Sequence, residues 1–115
     1  MDTDSAILAL GALAQHTRLD VFRALVAAEP AGISAGDLAR RMQTPANTMS
    51  THLAILARAG LVRGERKSRT IIYRAELNGL RAVVGFLLND CCGGRPDICA
   101  PLINELTCSP EKASC

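Results

Sequence analysis

Five cysteines (Cys91, Cys92, Cys99, Cys108 and Cys115) fall within the last 25 residues of this 115-residue chain, and none precedes them. Free cysteine packs like a small hydrophobe and would otherwise be spread through apolar positions. Three thiols within Cys91-Cys92-Gly93-Gly94-Arg95-Pro96-Asp97-Ile98-Cys99 therefore point to chemistry rather than to core filling. Thiolates are soft ligands and select soft acceptors. Adjacent cysteines suit zinc poorly, because structural zinc sites space their thiolates by two or more residues and need a fourth ligand. Three readings stay open on spacing alone: zinc completed by Cys108, a reversible disulfide switch, and tail cysteines with no shared role. An odd count argues against a complete intrachain disulfide framework.

The remainder of the chain must hold and use such a site. At 115 residues it is expected to form one folded domain over residues 1–90, followed by a cysteine-containing tail over 91–115. Hydrophobic residues make up 49%, yet Phe22, Tyr73 and Phe86 are the only aromatics, which predicts an aliphatic, mainly helical core. No apolar run is long enough to span a membrane, so no membrane partner is expected. The opening Met1-Asp2-Thr3-Asp4 is acidic where a secretory leader would be basic, which predicts a cytoplasmic protein.

Charge is unevenly distributed. Residues 1–39 carry two basic and five acidic side chains, and residues 75–115 carry three and five. Residues 40–74 hold Arg40, Arg41, Arg58, Arg63, Arg66, Lys67, Arg69 and Arg74 against Glu65 alone. A +7 middle third between negative flanks is the footprint of a polyanion partner. It argues against a metal buffer with no nucleic-acid role. An enzyme is not expected either, since the C-x-x-C motif of cytosolic thiol oxidoreductases is missing and no neighbouring lysine would depress a thiol pKa.

The elements follow in order. Residues 5–14 read as an apolar helix, with Ile7, Leu10, Leu13 and Ala14 on one face seeking a partner. Thr17 is the expected N-cap of a second helix bearing Leu19, Phe22, Leu25 and Val26, closed by Glu29-Pro30-Ala31-Gly32. Ser34 caps a short helix carrying Leu38, Ala39 and Met42. Thr44 as N-cap with Pro45 in the first turn then starts a helix to Arg58. Two helices joined by so short a link make a helix-turn-helix.

At about 100° per residue, Ala46, Met49, Leu53, Leu56 and Ala57 face inward, while Asn47, Thr48, Thr51, Ala54 and Arg58 face outward. Short hydrogen-bonding side chains without bulk suit a major groove. Leu61–Arg66 and Arg69–Arg74 read as two strands around Lys67-Ser68, a wing tipped by Arg66, Lys67 and Arg69 to grip phosphates. Glu76 to Asn89 reads as a final helix, with Leu77, Leu80, Val84, Leu87 and Leu88 in an apolar stripe, ending near Asn89-Asp90 just before the cysteines. Its surplus apolar surface, with that of the first helix, suggests a homodimer. The expected fold is thus mainly α with a small β-hairpin: a winged helix-turn-helix, dimeric through its first and last helices.

From Leu8 to Leu88 the chain resembles the ArsR/SmtB family of metal-sensing winged-helix repressors. The resemblance rests on Leu13-Ala14-Gln15-His16-Thr17-Arg18-Leu19, Ser50-Thr51-His52-Leu53, Ala59-Gly60-Leu61-Val62 and the wing Arg69 to Tyr73. It implies a dimeric repressor that leaves double-stranded operator DNA when a metal or metalloid binds, with Asn47, Thr48, Ser50, Thr51, Arg58, Arg66, Lys67 and Arg69 as the DNA-binding set. Sensing sites differ within the family. The stretch Ser34 to Arg41 has no cysteine and Leu77 to Asn89 has no histidine, so two of the family's sites are missing.

The arrangement Cys91-Cys92-Gly93-Gly94…Cys99 looks like the arsenite-responsive members and implies Cys91, Cys92 and Cys99 as ligands. Trivalent arsenic accepts three thiolates in a pyramid, Gly93-Gly94 permits a tight reversal, and Pro96 limits the loop entropy lost on closure. The expected inducer is therefore arsenite, or a related antimonial or methylarsenical, with no organic cofactor. A zinc-, cadmium- or lead-sensing repressor, or a thiol redox sensor, is the alternative.

Overall fold

A computed structural model describes residues 1–92, with side chains described through Leu88. Two compact units are distinguished, Met1–Val83 and Val84 onward. The first contains α1 (Thr3–Leu13), α2 (His16–Ala27), β1 (Ile33–Ser34), α3 (Ala35–Arg41), α4 (Ala46–Arg58), β2 (Val62–Lys67), β3 (Thr70–Ala75) and the opening turns of α5 (Leu77–Cys92). The second begins within α5.

Helix boundaries follow from local hydrogen bonding. Asp2 caps α1 by accepting from the Ser5 N–H at 2.7 Å. Thr17 does not cap α2, as the sequence suggested; Gln15 does, its longer side chain reaching the Arg18 N–H at 2.8 Å. Ser34 caps α3 as expected, accepting from Asp37 N–H. Thr44 does not cap α4. Its N–H closes the end of α3 on the Ala39 carbonyl and its hydroxyl donates to the Met42 carbonyl, so Pro45 takes the cap position with no side-chain bond.

The predicted hairpin is part of a three-stranded antiparallel sheet in the order β1-β3-β2. The two-residue β1 pairs Ile33 with Tyr73 and Ser34 with Ile72, and is too short for periodicity to reveal. Lys67 pairs with Thr70, which moves the turn one residue along, to Ser68-Arg69. Ser68 there adopts a φ of 59°, the left-handed conformation usually given to Gly or Asn.

The core of Met1–Val83 is aliphatic: Val21, Leu25, Leu38, Leu53, Leu56 and Leu61 are buried, with Phe22 and Val83. α1 turns an alanine stripe inward (Ala6, Ala9 and Ala12) and leaves Ile7, Leu8 and Leu10 exposed. Leu19 and Val26 on α2 are exposed as well, in place of the buried stripe expected. Small residues on the inner face let α1 approach closely, which the pattern of larger apolar residues had concealed. α5 does not end near Asn89-Asp90 but continues to Cys92. Nothing from Asn89 to Cys92 breaks a helix, and the first breakers are Gly93-Gly94.

Candidate nucleic-acid interface

The candidate recognition element is α4, seated by three buried side chains, Met49, Leu53 and Leu56. Ile55 is half-buried against the same core. Ala46 and Ala57, assigned inward by the wheel, are exposed because the helix is held on a narrow face. Asn47, Thr48, Ser50, Thr51 and Arg58 are all exposed, so the structure brings this predicted set onto one open surface.

Two of these side chains are already engaged in ways that bear on recognition. Asn47 Oδ1 accepts from the Thr48 N–H at 2.9 Å, leaving its amide NH₂ to donate outward. The Thr51 hydroxyl donates to the Asn47 carbonyl at 3.2 Å, which leaves its oxygen free to accept.

Charge is sorted by pairing. Arg63 meets Glu76 at 3.1 Å and Arg74 meets Glu65 at 2.6 Å; Arg40 pairs with Asp37. Arg74 also donates through Nε to the Pro30 carbonyl at 3.1 Å, tying the sheet to the loop before β1. Arg40 holds the Asp37 carboxyl below the usual carboxylate range. Among the described residues, Arg41, Arg58, Arg66, Lys67 and Arg69 make no ion pair. Arg66, Lys67 and Arg69 are exposed at the wing tip, where the sequence put them.

A groove lined by Ser34, Arg40, Arg69 and Thr70 opens between the start of α3 and the wing. Sequence reasoning left Arg40 and Arg41 out of the DNA-binding set. They lie far from the wing in the chain, and only the fold sets Arg40 across a groove from Arg69.

His52 lies on the half-buried flank of α4. Arg18 donates through Nε to the Ala12 carbonyl at 2.7 Å and its Nη1 lies 3.4 Å from His52 Nδ1. One guanidinium thus joins α1, α2 and the recognition helix. Burial, and then the neighbouring Arg18 charge, lower the His52 pKa below 6.5. The fold therefore favours neutral imidazole. Stability from this site is full above pH 6.5 and falls as pH drops from there toward the lowered folded value. Urea titrations between pH 7.5 and 5.5 should show the midpoint falling, and His52→Gln should flatten that decline.

Among the described residues no three His, Cys, Asp or Glu side chains come together to hold a metal. Cys91 and Cys92 occupy the last turn of α5, whereas Cys99, Cys108 and Cys115 lie outside the described residues. No helix among the described residues is long and apolar enough to cross a membrane.

Comparison with known proteins bears on the fold and the family. A helix-turn-helix domain model matches residues 13–65. The transcriptional activator HlyU of Vibrio cholerae is 30% identical over 82 residues, covering 71% of this chain and 73% of HlyU. Its solved structure matches with a TM-score of 0.62 at 29% identity, over 80% of this chain and 99% of that one. An ArsR-like transcriptional regulator from Rhodococcus sp. RHA1 matches with a TM-score of 0.66 at 26% identity, over 92% and 95% of the two chains.

The chain belongs to the ArsR family of transcriptional regulators.

A homodimeric winged helix-turn-helix DNA-binding domain from Mycobacterium bovis shares the fold, with a TM-score of 0.59 at 24% identity over 76% of this chain and 84% of that one. As an ArsR-family regulator, the chain carries a winged helix-turn-helix whose outward face is α4 and whose wing is β2–β3. These relatives are regulators of transcription, and nothing in them indicates catalysis.

Proposed function

We propose that this protein is a homodimeric repressor of an arsenic-resistance operon, released from its operator when trivalent arsenic binds Cys91, Cys92 and Cys99. The observation that carries the DNA half is the exposed polar face of α4 beside a wing whose three cations make no ion pair among the described residues. In this reading Asn47, Thr48, Ser50 and Thr51 approach base edges, and Arg58, Arg66, Lys67 and Arg69 take phosphates. The sensor half is supported by the donor set. Arsenous acid would exchange its three hydroxyls for the sulfurs of three thiols, each hydroxyl leaving with a thiol proton as water and with no change in oxidation state. Cys91 and Cys92, adjacent in the chain, fall in the last turn of α5. HlyU is an activator by name, so the direction of regulation is part of the proposal.

Dimerisation is supported by the apolar residues that α1 leaves exposed. Ile7 is 62% accessible, Leu8 46% and Leu10 40%, more than an isolated domain of this size usually leaves on one short helix. Ile7→Asp with Leu10→Asp should shift the protein from dimer to monomer in sedimentation at micromolar concentration while leaving its helical content unchanged. A variant that stays dimeric would place the interface elsewhere.

The function is tested with a duplex selected by the full chain from a random pool. Arsenite should release that duplex in a mobility-shift titration. Release by zinc, cadmium or lead alone would favour the metal-sensing alternative, and release by oxidant alone a redox switch.

A further inference from the structure

The contact between the start of α5 and the end of α4 has a consequence for how a signal on the last helix reaches DNA. α4 ends in a tight backbone motif: the Gly60 N–H bonds the Ala57 carbonyl at 3.0 Å and the Leu61 N–H bonds the Leu56 carbonyl at 3.1 Å. Gly60 has a φ of 78°, and Leu61 and Leu56 are both fully buried, so this turn is locked to the recognition helix. The Leu61 carbonyl then accepts from the Glu76 N–H at 2.8 Å, which pins the residue before α5 to the same turn. Arg63, on the following strand, pairs with Glu76 at 3.1 Å from outside.

Gly79 lies where this arrangement is closest. A Cβ on Gly79 would stand 2.0 Å from the Gly60 carbonyl oxygen and 3.0 Å from its carbon, with Leu61 Cα at 3.7 Å. These neighbours are backbone atoms of the locked turn and cannot swing aside like the end of a side chain. Any residue but glycine would force the first turn of α5 and the end of α4 apart by about an ångström, since real Cβ contacts essentially never fall below 3.0 Å.

We infer that Gly79 is a positioning residue: its bare Cα against the Gly60 carbonyl sets the recognition helix by the position of the last helix. α5 spans Leu77–Cys92, and Gly79 lies in its first turn. The regulatory part of this inference rests on the sensor reading above. The positioning part does not.

The test is Gly79→Ala in the full chain, assayed on the duplex selected by wild type. The variant should keep wild-type helical content and thiolate-to-arsenic absorbance. Its affinity for the duplex without arsenite should fall at least tenfold, and its response to arsenite should shrink to less than threefold. Wild-type affinity and a full arsenite response in the variant would overturn the inference. If wild type itself ignores arsenite, the sensor reading fails, and the tenfold loss in the arsenite-free assay still decides the role of Gly79. Should the variant not fold, amide exchange in wild type decides it. Binding of the duplex should slow exchange at Leu61 and at Gly79 together, and protection that stops at Leu61 overturns the inference.

Discussion

Replacing Cys91 and Cys92 together by serine is expected to leave DNA binding intact and abolish release by arsenite. For wild type, arsenite should weaken affinity for the selected duplex by at least ~100-fold, or ~2.7 kcal/mol. A switch from almost fully bound to almost fully free needs a differential of ~10⁴-fold, about 5.5 kcal/mol. Serine keeps the size of the side chain and removes the soft donor, so the double variant should respond less than threefold. Its arsenite-free affinity should match wild type, because neither position belongs to α4 or the wing. Cys99→Ser should retain binding of a monomethyl arsenical, which needs two thiolates, and lose most of its response to arsenite. A double variant still released by arsenite would sink the sensor assignment and leave the DNA-binding assignment untouched.

Neutralising the wing with Arg66→Gln, Lys67→Gln and Arg69→Gln should weaken binding to every sequence alike. Each phosphate contact contributes about −0.9 to the slope of log affinity against log salt. The triple variant should therefore flatten that slope by roughly 2 to 3. These side chains are exposed and make no ion pair among the described residues, so their loss should cost little stability. Asn47→Ala should behave differently. It removes an outward amide donor from α4, relaxing discrimination at one base pair by about 1–3 kcal/mol while leaving the salt slope unchanged. Quantitative binding to the selected duplex and its single-base variants, from 50 to 200 mM salt, separates the two effects. A triple variant with an unchanged slope would remove the wing from the interface.

The architecture was largely legible because two kinds of signal agree along the chain. Apolar spacing at Met49, Leu53 and Leu56 fixes which side of α4 is buried, and the polar residues between them become the outer face by default. The basic residues from Arg58 to Arg69 mark the adjoining surface by charge alone. Caps were less legible. Thr17 and Thr44 are good capping residues by type, but Gln15 and the closing bonds of α3 took their roles, and competition of that kind depends on backbone geometry. The end of α5 was placed too early, since aspartate and cysteine are merely weak helix formers and do not stop a helix.

Residue types and their spacing were enough to specify a winged helix-turn-helix and the exposed polar residues of α4, while the cysteine-rich stretch, expected just past the last helix, begins within its last turn. Tertiary structure decided that Arg63 and Arg74 are paired, because they meet Glu76 and Glu65 only once the strands come together. It also decided that Arg18 joins three helices and that Gly79 lies against the carbonyl of Gly60. Each of those contacts links different parts of the fold. Local propensity carries no information about such pairs, and the packing that creates them is a property of the assembled core.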